Sequence, residues 1–480
     1  MYRVLSLGLM VMLASETGCA QSETSSGEKL ASVYDEPGVP VEAAVKRFTS
    51  EHLMFPVRLE SESGVIDTGS VWGHSSPCLE DLNSDGLPDL ILGDFSGKFQ
   101  VYQNAGTSEA PKLKAPKVLK AGDVDAEVWI YCCIGSQARF GDLNGDGIRD
   151  MISNSYDPGH CYLFMGQGDG KFASREELKD RNGIPIRSKP TQTQNYESFG
   201  SFFELVDWES DGDLDLLIGC FDGHLMLRLN EGTTREAVFA ADNIRIDCGG
   251  APVKVKAHLC PDVADWDLDG LWDIVAGSDD GSVTWFRNTG TMTQPSFAEG
   301  EQLVPPHEGT GYEYLIWHQG EILPGIRSQV EVADWNADGK PDLLVGDFFT
   351  SFHIRKDITE SDRKVVADLL KIGSPSAKAF GKKMQELRDD FAKRYPGDAI
   401  FSEKADKEWS KEYKALRESP EAKAMEGEEK ELAQNLKPFL ASTRGDGDRL
   451  FDLAQSHGHL WLFLRKDTKA SPVLPRTRTQ

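Results

Sequence analysis

Beyond the N-terminus, no run of apolar residues is long enough to cross a bilayer as a helix. No C-x-x-C pair occurs, which leaves a zinc knuckle or a thioredoxin-type motif without support. No G-x-S-x-G nucleophile elbow is present. Basic residues are in deficit: 52 Lys and Arg stand against 78 Asp and Glu, a net charge of −26. A surface of that sign repels nucleic-acid phosphates and anionic lipid, so neither is expected as a partner. The eight cysteines of the 480-residue chain are scattered and their spacing identifies no pairs. Seven remain if Cys19 is lipidated or removed; among them the adjacent Cys132 and Cys133 read as buried or bridged to elsewhere.

What is there begins with an export signal over 1–20. Arg3 is its basic end and Val4 to Ala14 its short apolar core. Two processing routes stay open: a lipid anchor at Cys19, or ordinary cleavage around Gly18-Cys19-Ala20. Glu16 fits the first route poorly. A polar linker over 21–52 follows. The expected location is periplasm, cell envelope or extracellular space, with the membrane reached only through an anchor at Cys19.

The dominant feature is a repeat. DLNSDGLPD at 81 returns as DLNGDGIRD at 142, DWESDGDLD at 207, DWDLDGLWD at 265 and DWNADGKPD at 334, at intervals of 61, 65, 58 and 69 residues. Each copy is preceded by a strand pattern such as FFELVDW and followed by an apolar run such as LILG or LLVG. An alternating strand and an outer strand come next. Four antiparallel strands per unit make a propeller blade. In the fifth unit the third strand is displaced to GHLWLFLRK at 458–466, and MFPVRLESESG at 54–64 stands spare before unit one. The expected fold is mainly β: a five-bladed β-propeller closed by N- and C-terminal strands, with an α-helical insertion in the last blade. The blades span 53–355, the insertion 356–448, the last strand 449–468 and a tail 469–480. Within the insertion, Phe380, Met384, Leu387, Phe391 and Tyr395, then Trp409, Tyr413 and Leu416, form helical stripes expected to pack on one another.

In each loop, positions one, three, five and nine carry short oxygen-bearing side chains, and position six is Gly. That pattern is an oxygen cage for a hard cation, and calcium suits it. The expected ligands are Asp81, Asn83, Asp85 and Asp89; Asp142, Asn144, Asp146 and Asp150; Asp207, Glu209, Asp211 and Asp215; Asp265, Asp267, Asp269 and Asp273; and Asp334, Asn336, Asp338 and Asp342. Leu87, Ile148, Asp213, Leu271 and Lys340 would add backbone oxygens. About five Ca2+ sites follow, each pinning a strand turn. The bland alternative is an Asx-rich turn without metal.

Loops of this form followed by LLVG-type strands resemble the FG-GAP/VCBS repeat proteins, whose blades are like those of integrin alpha chains. The resemblance covers about 53–350 and 456–466. It implies a calcium-binding propeller but no single activity, since the family includes adhesion proteins, lectin-like modules and domains fused to enzymes. HSSPC, YCCIGS and VPPHEG also resemble segments of exported repeat proteins in planctomycete-type bacteria.

At the opposite end of each first strand from the acidic loop lie His74, Gly135, Gly200, His258 and Arg327, followed by Ser75, Ser136, Ser201, Leu259 and Ser328. By symmetry they should ring a channel mouth. His74, Ser136, Ser201, His258 and Arg327 are the candidate ligand-binding residues, with Trp129, Tyr131, Tyr312, Tyr314 and Trp317 as stacking surfaces. The competing reading is that small residues crowd the axis and aromatics plug it. Two functions compete. One is a non-enzymatic binding or scaffold module for a protein or carbohydrate ligand. The other is a polysaccharide hydrolase or lyase using His74, His258 and Arg327. The binding reading is preferred, and no catalytic residue is assigned.

Overall fold

The apolar runs that follow the acidic loops become strands buried on both faces. In Asp342–Phe352, Leu343 and Val345 enter a core shared with one neighbouring sheet and Leu344 enters the core shared with the other. Successive side chains of a strand point to opposite faces, so a continuous run of Leu, Ile and Val is what a strand between two apolar layers requires.

The computed structural model describes residues 50–69, 73–128, 135–156, 159–188, 200–307, 315–316, 324–355, 357–372, 375–395, 403–441, 443, 447 and 449–466. The export signal, most of the linker, Cys19, Cys132, Cys133, the tail, and Trp129, Tyr131, Tyr312, Tyr314 and Trp317 lie outside the described residues.

One antiparallel pattern recurs. The first sheet runs Ser76–Glu80, Asp89–Gly93, Phe99–Tyr102 and Lys117–Val118. The second runs Ala138–Gly141, Asp150–Ser153, Tyr162–Phe164 and Glu176–Glu177. The third runs Phe202–Val206, Asp215–Gly219, Leu225–Arg228 and Ile244–Arg245. The fourth runs Cys260–Ala264, Asp273–Gly277, Val283–Phe286 and Glu301–Val304. In the fifth sheet Ile326–Ala333 pairs with Asp342–Phe352, and Leu460–Phe463 takes the third place. Val57–Arg58 takes the outer place, with Val57 opposite Leu462. The chain is mainly β and propeller-like: the first strand of each sheet packs on the first strand of the next, and that of the fifth packs on that of the first.

Five apolar layers lie between neighbouring sheets. Ile91, Phe99, Phe140 and Met151 join the first two sheets; Ile152, Leu163, Phe203 and Leu216 join the second and third. Leu217, Leu227, Val263 and Ile274 join the third and fourth, and Val275, Trp285, Leu343 and Trp461 the fourth and fifth. Leu90, Leu92, Leu344 and Leu460 join the fifth back to the first.

Between the second and third strands of the fifth sheet lie, among the described residues, four long helices, α1 (Glu360–Ile372), α2 (Pro375–Arg394), α3 (Glu403–Arg417) and α4 (Pro420–Leu436), and a short one, α5 (Leu450–Leu453). Ser419 caps α4 by accepting from the Ala422 N–H, with Pro420 in the first turn. The stripe residues Phe380, Met384, Phe391 and Trp409 pack with Ala422 and Met425 in a core of their own. A second cluster, Phe352, Ile354, Val366, Leu436 and Leu440, roots the helices on the end of the strand that leads into them.

Candidate functional site

Each acidic loop folds around its first Asp. In the first loop the Asp81 carboxylate accepts from the Asp85 N–H at 3.1 Å and the Gly86 N–H at 2.9 Å. The same two contacts recur at Asp142, Asp207, Asp265 and Asp334. Gly86, Gly147, Gly212, Gly270 and Gly339 all have φ between 84° and 96°, which is why position six is Gly. The position-five carboxylates accept from the N–H of position seven, at 2.8 to 3.2 Å. The turn thus fixes positions one and five in every loop, and in the fourth loop position three joins them. In the fourth loop, carboxylate oxygens of Asp265, Asp267 and Asp269 lie within 4.8 Å of one another. The donors are all oxygen, the set a hard cation takes. Two loops also hold a basic side chain: Arg287 lies 2.6 Å from Asp267 and 3.1 Å from Asp269, and Lys340 lies 2.8 Å from Asp338.

Position nine has a second task that the spacing does not reveal. One oxygen of Asp150, Asp215, Asp273 and Asp342 accepts from the N–H of position two in its own loop. The other accepts from the end of the third strand: Asn104 onto Asp89, Gly166 onto Asp150, Asn230 onto Asp215, Asn288 onto Asp273 and Arg465 onto Asp342, at 2.7 to 2.8 Å. These carboxylates are buried. Burial, reinforced by the neighbouring loop acids and partly offset by the backbone N–H donors, pushes Asp215 and Asp273 up to about 7 and Asp342 to about 6. Each oxygen keeps a second lone pair, so the clip and a cation can share it.

The interior between the first strands is filled. Arg139 spans it, bonded to Glu204 and to the carbonyls of Pro77 and Val330 at 3.0 and 2.8 Å, with Glu331 at 3.6 Å. Burial opposes the charge of Arg139, but Glu204 and Glu331 outweigh it and hold the guanidinium charged. Gln137 accepts from the Phe203 N–H, and Asp262 accepts from the Val332 N–H.

At the end away from the acidic loops, His74, His258 and Arg327 come together. Arg327 Nη1 lies 2.8 Å from His74 Nε2. Asp279 joins them, 2.9 Å from His258 Nδ1 and 3.3 Å from Arg327 Nε. All three share a left-handed backbone, with φ of 64°, 51° and 59°, a conformation costly for a residue with a Cβ. His74 stacks between Phe95 and Phe348, and Phe221 lies 4.1 Å from the His258 ring centre. Both histidines are buried, and burial with the Arg327 charge holds them below the usual histidine range. Burial works against the Asp279 carboxylate, yet His258 and Arg327 hold it well below the ordinary range.

Ser136 and Ser201 are fully buried. The Ser136 hydroxyl donates to the Lys98 carbonyl at 2.9 Å, and that of Ser201 accepts from the Ser188 N–H at 3.2 Å. Ser136 sits at the seam between the first two sheets, its carbonyl against Gly93. Asp279 was not legible as a partner. It stands two residues after Gly277, where Phe95, Phe221 and Phe348 stand two after Gly93, Gly219 and Gly346, so the break in that pattern was the available signal. Cys78, Cys161, Cys220, Cys248 and Cys260 are thiols.

Residues 265–345 match the model of the FG-GAP-like repeat. The chain is 26% identical to human integrin alpha-7 over 279 residues, 52% of this chain and 21% of that protein. It is 28% identical to Xenopus laevis integrin alpha-4 over 184 residues, 35% of this chain and 16% of that one. The matches therefore span about a fifth or less of these relatives' length. An Agrocybe aegerita lectin, solved for its recognition of non-reducing terminal N-acetylglucosamine, aligns at 19% identity over 57% of this chain and 62% of its own, with a TM-score of 0.29. A likeness that weak bears on neither fold nor ligand. The recurring acidic loops, the strands that follow them and the family match agree: residues 265–345 carry an FG-GAP-like repeat, and the other acidic loops are built in the same form.

Proposed function

We propose that the chain is an exported, calcium-stabilised five-bladed β-propeller that serves as a binding or scaffold module in the cell envelope. The observation that carries the reading is the common fold of the acidic loops, in which the first Asp accepts the same backbone N–H at five places. Seventeen of the twenty side-chain ligands are carboxylates that repel one another within each loop. Five divalent ions would cancel ten of the 26 net negative charges. Calcium supplies charge neutralisation and holds the turns; Arg287 and Lys340 swing away from their carboxylates as it enters. The blades occupy 53–355 and 449–468 and the insertion 356–448. Ring closure through the pairing of Val57 with Leu462 is supported by the apolar layer that joins the fifth sheet to the first.

The partner in this reading is a protein or carbohydrate that docks at the end of the sheets opposite the acidic loops, where His74, His258, Arg327 and Asp279 lie. The filled interior around Arg139 and the burial and mutual engagement of these groups favour a rigid framework beneath a docking surface over a hydrolase or lyase. Thermal unfolding of the chelator-stripped chain under added Ca2+ tests the metal reading. Tm is expected to rise with calcium at a stoichiometry near five, with affinities of roughly 0.1–1 mM. The double variant Asp81→Ala, Asp207→Ala should lose about two sites. A wild-type melting curve indifferent to calcium would reduce the loops to bare turns.

A further inference from the structure

Three histidines gather where the helical insertion leaves the fifth sheet. His353 follows the strand Asp342–Phe352, while His457 and His459 flank Gly458 on the returning chain. Their rings stack in order. His353 and His457 are 5.2 Å apart with an 11° tilt, and His457 and His459 are 5.7 Å apart with a 16° tilt. Phe349 backs His457 and His459 at 4.9 and 5.2 Å. From the other end of the chain comes Asp67, paired with His459 across a β-bridge. Its Oδ1 accepts from the N–H groups of Gly69 and Gly458, at 2.8 and 3.0 Å, so its Oδ2 is fixed in direction. That Oδ2 lies 2.7 Å from His457 Nδ1 and 3.8 Å from His459 Nε2. One ligand atom from each of Asp67, His457 and His459 falls within a common 4.8 Å.

We infer that Asp67, His457 and His459 form a site for one divalent transition metal of the zinc class, chemically separate from the acidic loops. Two imidazoles and one carboxylate are a donor set for zinc, whereas calcium takes oxygen. Ligand atoms on bonds of 2.0–2.1 Å in a tetrahedron stand about 3.3 Å apart. The observed 2.7 and 3.8 Å bracket that value, and because the two rings lie near-parallel, metal entry also asks one ring to rotate so that both lone pairs meet at the ion. The outer contacts suit the same role. His457 Nε2 lies 3.0 Å from Ser351 Oγ and 3.2 Å from His353 Nε2. When Nδ1 gives up its hydrogen bond to Asp67 for the metal, the ring proton moves to Nε2 and is donated to one of these neighbours. Such outer partners fix the tautomer of a metal-bound imidazole. The backbone-clamped carboxylate is in place before any metal arrives, the two rings stand beside it, and three protein ligands leave a fourth position open.

Ser351, His457 and Asp67 also stand at the separations of a Ser–His–Asp triad. Ser351, however, is fully buried, and its strand is paired on both sides, to Leu315 and to Gln455. A nucleophile so enclosed meets no substrate, whereas a metal ion needs only the ligand atoms. The site would tie Asp67 to a histidine 390 residues away, at the root of the insertion, where the His353 carbonyl accepts from the Ala441 N–H at 2.8 Å.

The test is Zn2+ titration of the full chain by calorimetry with Ca2+ present in excess, paralleled by Co2+ titration read by visible absorption. One equivalent of tight Zn2+ and a tetrahedral Co2+ spectrum are expected. Asp67→Asn and His459→Gln, which keep shape, should each weaken Zn2+ by about 100-fold or more, beyond the roughly 10- to 100-fold of losing an outer partner. Ser351→Ala should fall within that outer-partner range. Folded wild-type protein that binds no Zn2+ refutes the site whatever the variants do. Zn2+ binding left unchanged by both ligand variants refutes it as well, placing the ion elsewhere. Neither result bears on calcium in the loops.

Discussion

A single carboxylate at position nine separates the two roles of the acidic loop. Asp273 clips the loop to the third strand through Trp266 and Asn288, whereas Asp267 faces the cage and pairs with the half-exposed Arg287. In chelator, Asp273→Asn is expected to cost about 1–3 kcal/mol, because an amide nitrogen then faces a backbone N–H. Asp267→Ala should be close to neutral there, and both should remove one calcium site. Chemical denaturation with and without Ca2+ checks the contrast. Arg139 offers the complementary case. Arg139→Met strands Glu204 and Glu331 in a dry interior and should cost about 3–5 kcal/mol. Adding Glu204→Leu and Glu331→Leu should recover most of that loss, since a buried ionic group replaced whole by apolar side chains is often neutral. At the other end, His74 and His258 sit below the usual histidine range, facing Arg327 and Asp279. Their unfolded forms take up protons below about pH 6.5 while the folded forms do not. Their stabilisation is thus complete above that pH and lost as pH falls below it, by about 1.4 kcal/mol per pH unit for each proton. A His74→Gln, His258→Gln chain should show a shallower fall in stability over pH 6.5–5 than the wild type.

At the scale of elements, strands were legible because period two and the acidic punctuation agree, and the insertion because its stripes repeat at three and four. Burial on both strand faces follows directly from runs such as LILG. Three things were not legible. The N–H partners of position nine lie fifteen or sixteen residues on or, for Asp342, 123 residues on, so no local pattern marks them. The Asn of NAGT, NEGT and NTGT carries a task that its short motif does not announce. Asn104, Asn230 and Asn288 each accept two N–H groups across the turn into the outer strand. The Asp67–His457–His459 cluster joins the two ends of the chain, and only three-dimensional closeness reveals it. The seam gives the small residues near the axis a packing role. A Cβ on Gly93 would lie 2.0 Å from the Ser136 carbonyl, and one on Gly346 would lie 1.7 Å from that of Ser75. The small residues serve close approach of sheets, so Gly346→Ala should destabilise the chain even with calcium bound, as Tm would show. The helices, with their separate core around Trp409, should melt independently: Trp409→Ala is expected to lower helical circular dichroism at a temperature where the sheets persist.

For the whole molecule, the question is whether the ends of the chain act as one element. Val57 and Arg58 form the outer strand on Leu462 and Trp461, Leu53 bridges Arg465, and the Lys466 N–H donates to the His52 carbonyl at 2.8 Å. Leu53, Leu59 and Ile66 are buried in the layers on either side of the fifth sheet. Removing residues up to 66 would strip those three side chains, each contributing about 1.5–3 kcal/mol of burial, and would leave Leu460–Phe463 as an open sheet edge. That truncation should fall well below the wild type in Tm and gain a tendency to self-associate, visible by light scattering. A circular permutant offers the opposite expectation. It joins Lys466 to Ser50 by a short linker and opens the chain at the exposed turn around Ser108, so that every sheet contact is kept. If the ends work as one structural element, the permutant holds its Tm near that of the parent and keeps the full calcium response, while the truncation does not. Equal melting of truncated and full chains would mean that the first strand lies on the fifth sheet without closing anything, and the ring reading would fail with it.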